Sequence, residues 1–470
     1  MSKLLLINPW SRDEEGVVWS FAYQKDYWRN PYKGLVQLAT YLRKNGHTVK
    51  ILDCERDLLI EAGGNPDLML KLIESKVRYL HPDVVGVTAM TYRWMEAYKI
   101  LNVLTELKPE LRFRLILGGR HASSETEMCM KDIPGLDCIF HGFAEVGLNK
   151  YLDGDPLEEI PGAAFMSQGE VKRTPNEVVN DLDELPWPDW SLIDSSFYTH
   201  PNIRVHRSTG TPLRSLDTIC SRGCNMACAF CSGADGKPKW HSVNYILDYI
   251  EWTQKTYQTN ATIFQDSSLG NNKTFLVKLC EGLIRRNINK KLIWTCNMRA
   301  DQVDTETVGL MYRAGCRLIF IGFESGSERI LNLMHKGCTV EDNIRCAQVL
   351  EDAEMPYWAS FILGYPGETE QDIYETGKFI EKINPTTGWV NAFFPSPGSN
   401  IYKKLKREGR ITVSSIYDWI NYGRTGEGNS NLGLYAEIPS ERFRYCLFKL
   451  QGYFQKITDT GIKRELEFSK

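Results

Sequence analysis

No apolar run in these 470 residues approaches the roughly 20 needed to cross a bilayer. The opening stretch, Met1 to Pro9, is apolar only briefly before polar and charged residues follow. It reads as a first β-strand and not as a secretory signal. Neither sign of charge dominates: 56 Lys and Arg against 59 Asp and Glu leave a net charge of −3. The chain therefore lacks the electrostatic footprint of a nucleic-acid binder. Hydrophobic content of 42% and charged content of 24% suit a globular protein, and 470 residues suggest two to three domains. Without an export signal, 13 cysteines point to a reducing cytoplasm and to thiolates that hold metal, not to disulfides.

Four of those cysteines fall within twelve residues, from Cys220 to Cys231. Cys224, Cys228 and Cys231 are spaced C-x3-C-x2-C, with Phe230 just before the last. Three thiolates so spaced can wrap one side of a cubane cluster from a single loop and leave one iron without a protein ligand. A structural zinc site is the alternative, with Cys220 as the fourth ligand. Zinc knuckles more often use separated C-x2-C pairs. Cys54, Cys129, Cys138, Cys280, Cys316, Cys338, Cys346 and Cys446 are scattered and read as small core residues or surface thiols.

Residues 1–150 alternate strand and helix patterns. Strands are expected at Lys3–Pro9, His47–Cys54, Asp83–Met90, Arg114–Gly119 and Asp137–His141, with helices at Gly34–Asn45, Leu68–Leu80 and Trp94–Leu107. Apolar strands alternating with helices imply a doubly wound parallel sheet covered on both faces, which binds ligands beyond the carboxyl ends of its strands. Those ends carry Thr91 and Tyr92, then Gly118, Gly119 and His121, then Gly142 and Glu145. Paired glycines let a backbone approach a flat ligand closely, although glycines also simply turn strand into helix. Residues 151–205 read as a linker with a small hairpin and an acidic Pro-Trp segment, whose Trp187 and Trp190 are expected at a domain boundary.

Residues 206–400 repeat a strand-then-helix rhythm six times, counting Ser215–Ile219 before the cysteine loop as the first strand. Eight units would close a barrel, so six predict an open, partial (β/α)6 barrel of the TIM type. Candidate residues stand where strands end: Gln265 and Asp266, then Arg299, then Glu324 and Ser325, then Ile362 and Gly364. An arginine fork suits a carboxylate, and an acid suits an amino group or ribose hydroxyls. Taken singly, each reads more readily as a surface ion pair or a satisfied turn, and it is their joint placement around the cysteine loop that points to a site. Residues 401–470 read as a short helical tail over the barrel mouth. Its Trp419, Tyr422, Tyr435 and Tyr445 either line a pocket or pack the tail down.

The cysteine loop, followed by GFESGSERIL and FILGYPGET, with GG-x-H-A-S and G-x-x-E in the first domain, resembles the radical S-adenosylmethionine enzymes of the cobalamin-binding subgroup. The resemblance runs from residue 1 to about 410. It implies a Rossmann-like cobalamin-binding domain followed by the partial barrel. It implies a 4Fe–4S cluster on Cys224, Cys228 and Cys231, and S-adenosylmethionine on the open iron. Phe230, Gln265, Asp266, Arg299, Glu324, Ser325, Ile362 and Gly364 would touch S-adenosylmethionine. Cobalamin would meet Thr91, Tyr92, Gly118, Gly119, His121, Gly142 and Glu145. The D-x-H-x-x-G motif, whose His coordinates cobalt from below, is absent: Asn8 to Gly16 contains no histidine. Cys220 departs from the usual Ser or Thr, and a fourth thiolate on the cluster would block the open iron.

The resemblance implies that the cluster, once reduced, cleaves S-adenosylmethionine to a 5′-deoxyadenosyl radical. The expectation is cobalamin-dependent C-methylation of a small-molecule or lipid precursor, with an electron donor such as flavodoxin or ferredoxin. A radical cyclase, ring-contraction or carbon–carbon bond-forming enzyme is the alternative within that machinery. A cluster- or zinc-bearing regulatory protein is the non-enzymatic one. Methylthiolation of tRNA would want a basic terminal module, which is lacking.

Overall fold

The computed structural model describes residues 1–11, 31–199, 213–233, 236–383, 385–411, 413, 416–419 and 433–468. Most of the loop after the first strand, and Tyr422, lie outside them. The described residues fall into two compact units, one of residues 1–11, 31–197 and those from 395 to 419, the other of those from 198 to 394 and 433–468. No helix among the described residues is long and apolar enough to cross a membrane.

The first unit is a seven-stranded sheet in the order β2-β1-β3-β4-β5-β6-β7. Strands β1 (Lys3–Asn8), β2 (Thr48–Asp53), β3 (Val84–Thr88), β4 (Arg114–Gly118) and β5 (Cys138–Phe140) are parallel. Their apolar runs are buried because helices cover both faces. Helix Lys33–Lys44 buries Leu35, Val36, Ala39 and Leu42; helix Pro66–Leu80 buries Met69, Ile73 and Val77; helix Trp94–Leu111 buries Ile100, Leu101 and Leu104. Each of these side chains except that of Ala39 contributes about 1.5–3 kcal/mol relative to exposure. Asn65 starts the second of these helices by accepting from the N–H groups of Asp67 and Leu68.

The hairpin expected in the linker forms, as β6 (Ala163–Ser167) and β7 (Glu170–Arg173), but it extends the sheet, β6 pairing antiparallel with β5. Its Ala163, Ala164 and Phe165 are buried, while Met166 is exposed. The Pro-Trp segment that follows lies on helix Lys33–Lys44. Gln37 Nε2 donates to Pro186 O at 2.7 Å, Asp189 N donates to Thr40 Oγ1 at 2.9 Å, and Trp190 is fully buried. The described residues from 395 to 419 also join this unit. Lys406 Nζ lies 2.8 Å from Glu125 Oε2, and Trp419 Nε1 lies 3.5 Å from Met128 Sδ.

In the second unit the cysteine loop is the turn of a hairpin, β8 (Ser221–Cys224) against β9 (Gly236–Trp240). A parallel sheet follows in the order β10 (Ala261–Phe264), β11 (Ile293–Met298), β12 (Cys316–Glu324), β13 (Tyr357–Leu363), β14 (Thr387–Ala392). The strand expected at Ser215–Ile219 is reduced to two isolated bridges, Ser215 to Ala261 and Thr218 to Phe264. Thr218 keeps ladder bonds to Ile263 O and Gln265 N, but side chains take two neighbouring carbonyls: Thr262 Oγ1 donates to Leu216 O at 2.8 Å, and the Tyr249 hydroxyl donates to Asp217 O at 3.1 Å. With that bridged segment six parallel runs line up, and β14 has no strand partner but β13 among the described residues, so the barrel is open.

Helix Ser440–Phe468 packs on β14. Gln451 Nε2 donates to Val390 O at 2.9 Å, and a Cβ at Gly388 would meet the Phe454 ring at 2.4 Å. The expected mouth-covering tail from residue 401 is thus divided. One part joins the first unit, and the last helix lies against the final strand of the second.

Candidate functional site

Asp266 sets the base of the cysteine loop. It follows β10, is buried, and accepts from Cys220 N at 3.1 and 3.0 Å, Ser221 N at 2.6 Å and Ser221 Oγ at 2.5 Å. Both carboxylate oxygens hold the entrance of the loop, so a residue expected to touch S-adenosylmethionine anchors the hairpin. Cys220 is fully buried at that entrance.

Each of the other three sulfurs meets one N–H donor. Asn271 Nδ2 lies 3.8 Å from Cys224 Sγ, Arg299 Nη1 lies 3.6 Å from Cys228 Sγ, and Gly233 N lies 3.2 Å from Cys231 Sγ. The loop is further tied by Ala229 N to Met334 O at 2.8 Å. Donors aimed at sulfur suit thiolates, and this donor set fits a sulfur-ligated cluster. No three His, Cys, Asp or Glu side chains among the described residues are gathered as ligands of one metal ion.

Beside the loop stand Arg299 and the Glu324–Lys336 ion pair. Arg299, after β11, is buried and locked. Nε donates to Asp301 Oδ1 at 3.0 Å, and Nη2 faces Asp301 Oδ2 at 3.2 Å, Lys336 O at 2.6 Å and Cys338 Sγ at 3.1 Å. Burial works most strongly against its charge, but the hydrogen bond to Asp301 together with the charges of Asp301, Cys338 and Cys228 outweighs it and raises its pKa. Glu324, at the end of β12, pairs with buried Lys336, with Nζ to Oε1 at 2.7 Å. Burial disfavours the ammonium, but Glu324 outweighs it and raises the Lys336 pKa. Lys336 Nζ also lies 5.9 Å from the Phe230 ring centroid. Glu324 adopts φ +66°, a left-handed conformation that costs a non-glycine residue about 1–3 kcal/mol. A Cβ at Gly322 would stand 2.3 Å from Glu324 Oε1 and 3.2 Å from Lys336 Nζ. That glycine therefore makes room for the pair.

The remaining candidates of this unit serve the fold more visibly. Gln265 Nε2 donates to Asp217 Oδ2 at 3.2 Å. Ser325 is fully buried, its Oγ 3.1 Å from Thr376 Oγ1. Ile362 is half-buried, and Gly364 lies under the Phe443 ring, 3.0 Å from where a Cβ would be.

Glu368, in the same GYPGET stretch, donates its N–H to Tyr365 O at 2.9 Å, and its carboxylate accepts from Gly364 N while Oε1 has no partner. Burial pushes its carboxyl up to about 8, against the opposing Gly364 hydrogen bond. The folded protein thus holds a proton that the unfolded chain releases. The resulting stability is full below the ordinary carboxylate value of 4.5 and is lost as pH rises toward about 8. Glu368→Gln should flatten a slope of about 1.4 kcal/mol per pH unit in that window. Urea titrations of both proteins across the window check this, and an unchanged slope in the variant refutes it.

In the first unit, Gly119 (φ +94°) lets two strand ends touch, since a Cβ there would stand 2.4 Å from Ala89 O. Gly142 faces Asn176, whose Nδ2 would be 2.1 Å from a Cβ, so the stretch just after the hairpin covers it. Glu145 is buried, Thr91 half-buried, and Tyr92 exposed. Gly118 is half-buried, and a Cβ there would meet only Phe140 O at 3.7 Å. His121 is fully enclosed, stacked on Trp94 at 4.2 Å and edge-on to Trp419 at 4.7 Å. Burial holds its pKa down at about 3, so the ring is neutral. Its Nδ1 lies 3.3 Å from Thr91 Oγ1, while His121 Nε2 and Trp94 Nε1 have no hydrogen-bond partner. Orphaned polar atoms at the carboxyl edge of a parallel sheet fit a ligand with polar groups there.

Lys336, Asn271 and Glu368 escaped the sequence reading. Lys336 stands twelve residues past Glu324, on the turn after helix Glu328–Leu333. Its spacing carries no periodic signal, and only the fold brings it back.

The Radical SAM superfamily profile matches residues 218–380, and the B12 binding domain profile matches residues 30–151. An uncharacterized methyltransferase of Pyrococcus horikoshii is 26% identical over 382 residues, 79% of this chain and 78% of its own. The anaerobic magnesium-protoporphyrin IX monomethyl ester cyclase of Rubrivivax gelatinosus is 27% identical over 409 residues, 83% of this chain and 69% of its own. The solved structure of the radical S-adenosylmethionine methyltransferase TsrM from Kitasatospora setae, with cobalamin and a 4Fe–4S cluster bound, aligns with a TM-score of 0.66. At 17% identity, over 87% of this chain and 75% of that one, the likeness is one of fold.

Proposed function

Because the chain belongs to the radical S-adenosylmethionine enzymes that carry an N-terminal B12-binding domain, we propose that it methylates an unactivated carbon of a small-molecule or lipid precursor with the aid of cobalamin. The observation that supports this most is the cysteine loop, whose three sulfurs each meet an N–H donor. When bound, a 4Fe–4S cluster with S-adenosylmethionine supplies a carbon radical, and cobalamin supplies a methyl group. Cys224, Cys228 and Cys231 hold the cluster, and Asp266 keeps their loop closed. Lys336 and Glu324 offer an ammonium and a carboxylate beside Phe230, suited to a zwitterionic amino acid. Gly118, Thr91, Tyr92 and the orphaned atoms of His121 and Trp94 stand where cobalamin would be held. The cyclase relative favours a second reading, the same radical machinery without methyl transfer.

Protein purified anaerobically should be brown and carry about four irons per chain. Cys228→Ala should lose the iron and Cys220→Ser should keep it. Colourless wild-type protein without iron overturns the reading. Absence of cobalt after growth with cobalamin leaves only the second reading.

A further inference from the structure

We propose that Arg299 is a positioning residue for the cluster: its guanidinium, locked by Asp301, bonds the Cys228 sulfur and sets the reduction potential. The inference rests on the reading of the cysteine loop given above. It assigns Arg299 away from the S-adenosylmethionine carboxylate, the role its residue type suggests.

The hydrogen bonds carry the argument. Nε and Nη2 form a two-pronged contact with Asp301, at 3.0 and 3.2 Å. Nη2 also serves Lys336 O at 2.6 Å and Cys338 Sγ at 3.1 Å. Such a fork fixes the guanidinium plane, because rotation about Cδ–Nε would break two bonds at once. Only Nη1 remains, and it points at Cys228 Sγ, 3.6 Å away. The side chain is 7% exposed. Little solvent screens it from the sulfur. A cluster gains negative charge on reduction, so an N–H donor and a cation at one ligand sulfur stabilise the reduced form and raise the potential. Asp301 acts in the opposite sense through the same contact. The two residues should therefore move the potential in opposite directions, which a purely structural role would not do.

Wild type, Arg299→Lys, Arg299→Met and Asp301→Asn are reconstituted anaerobically with iron and sulfide. Each is titrated with mediators and read by electron paramagnetic resonance, without S-adenosylmethionine. At the wild-type midpoint the two Arg299 variants should show about a tenfold fall in the reduced-to-oxidised ratio, a shift of about 59 mV for a one-electron couple. Asp301→Asn should show a rise. Iron loss in Arg299→Met with an unchanged circular dichroism spectrum also supports the assignment, because Cys228 is then no longer held. Arg299→Lys with full iron and the wild-type midpoint overturns it. Wild-type protein that assembles no cluster overturns this inference together with the proposed function.

Discussion

Asp266→Ala should abolish cluster assembly and lower the stability of the second unit by about 2–5 kcal/mol. The carboxylate is buried and accepts from the N–H groups of Cys220 and Ser221 and from the Ser221 hydroxyl. Alanine leaves two buried backbone donors unsatisfied, each at a cost of about 1–3 kcal/mol. It also frees the point where β10 meets the hairpin, so the three sulfurs lose their common frame. Asp266→Asn should do less damage, since an amide oxygen still accepts while its NH2 faces donors. Iron per chain and the urea midpoint read the two effects separately. An alanine variant with wild-type iron would show that the loop is held by something else.

Lys336→Met should cost about 3–5 kcal/mol, the penalty for stranding a buried partner charge. Lys336 and Glu324 are both buried and in contact. Methionine fills the stem of the lysine but leaves the Glu324 carboxylate without its cation, on a backbone already strained at φ +66°. Adding Glu324→Leu should restore much of the loss, because removing both charges removes the unpaired one. Chemical denaturation of the single and double variants measures this. A double variant no more stable than Lys336→Met would mean that the pair is not the source of the cost.

The fold was largely legible. Continuous apolar runs such as Leu4–Ile7 and Val84–Val87 can be satisfied only by a parallel sheet covered on both faces, and the sheet is there. The cysteine spacing marked the loop because ligand spacing is local. What failed to show was long-range. Ser215–Ile219 has a strand composition, yet the side chains of Thr262 and Tyr249 take carbonyls of Leu216 and Asp217 within it. Residues 151–197 look like a linker because prolines and acids dominate the stretch, but a few apolar side chains and bonds to Thr40 and Gln37 fix it to the first unit. Arg299 and Asp266 were visible as residues of the right kind at strand ends. Their tasks depend on Asp301, Cys338 and Cys220, and no pattern pairs those positions in advance.

The excursion of the described residues from 395 to 419 to the first unit bears on how the protein is made. A ribosome releases the chain from its amino end, so the first sheet emerges complete through β7 while the ring of His121 still awaits Trp419. At roughly 5–20 residues per second, that wait lasts on the order of ten to fifty seconds. Throughout it an aromatic edge destined for the interior faces solvent or a chaperone. Neither unit corresponds to one uninterrupted piece of chain, so cutting the gene between them yields two incomplete bodies, not two domains.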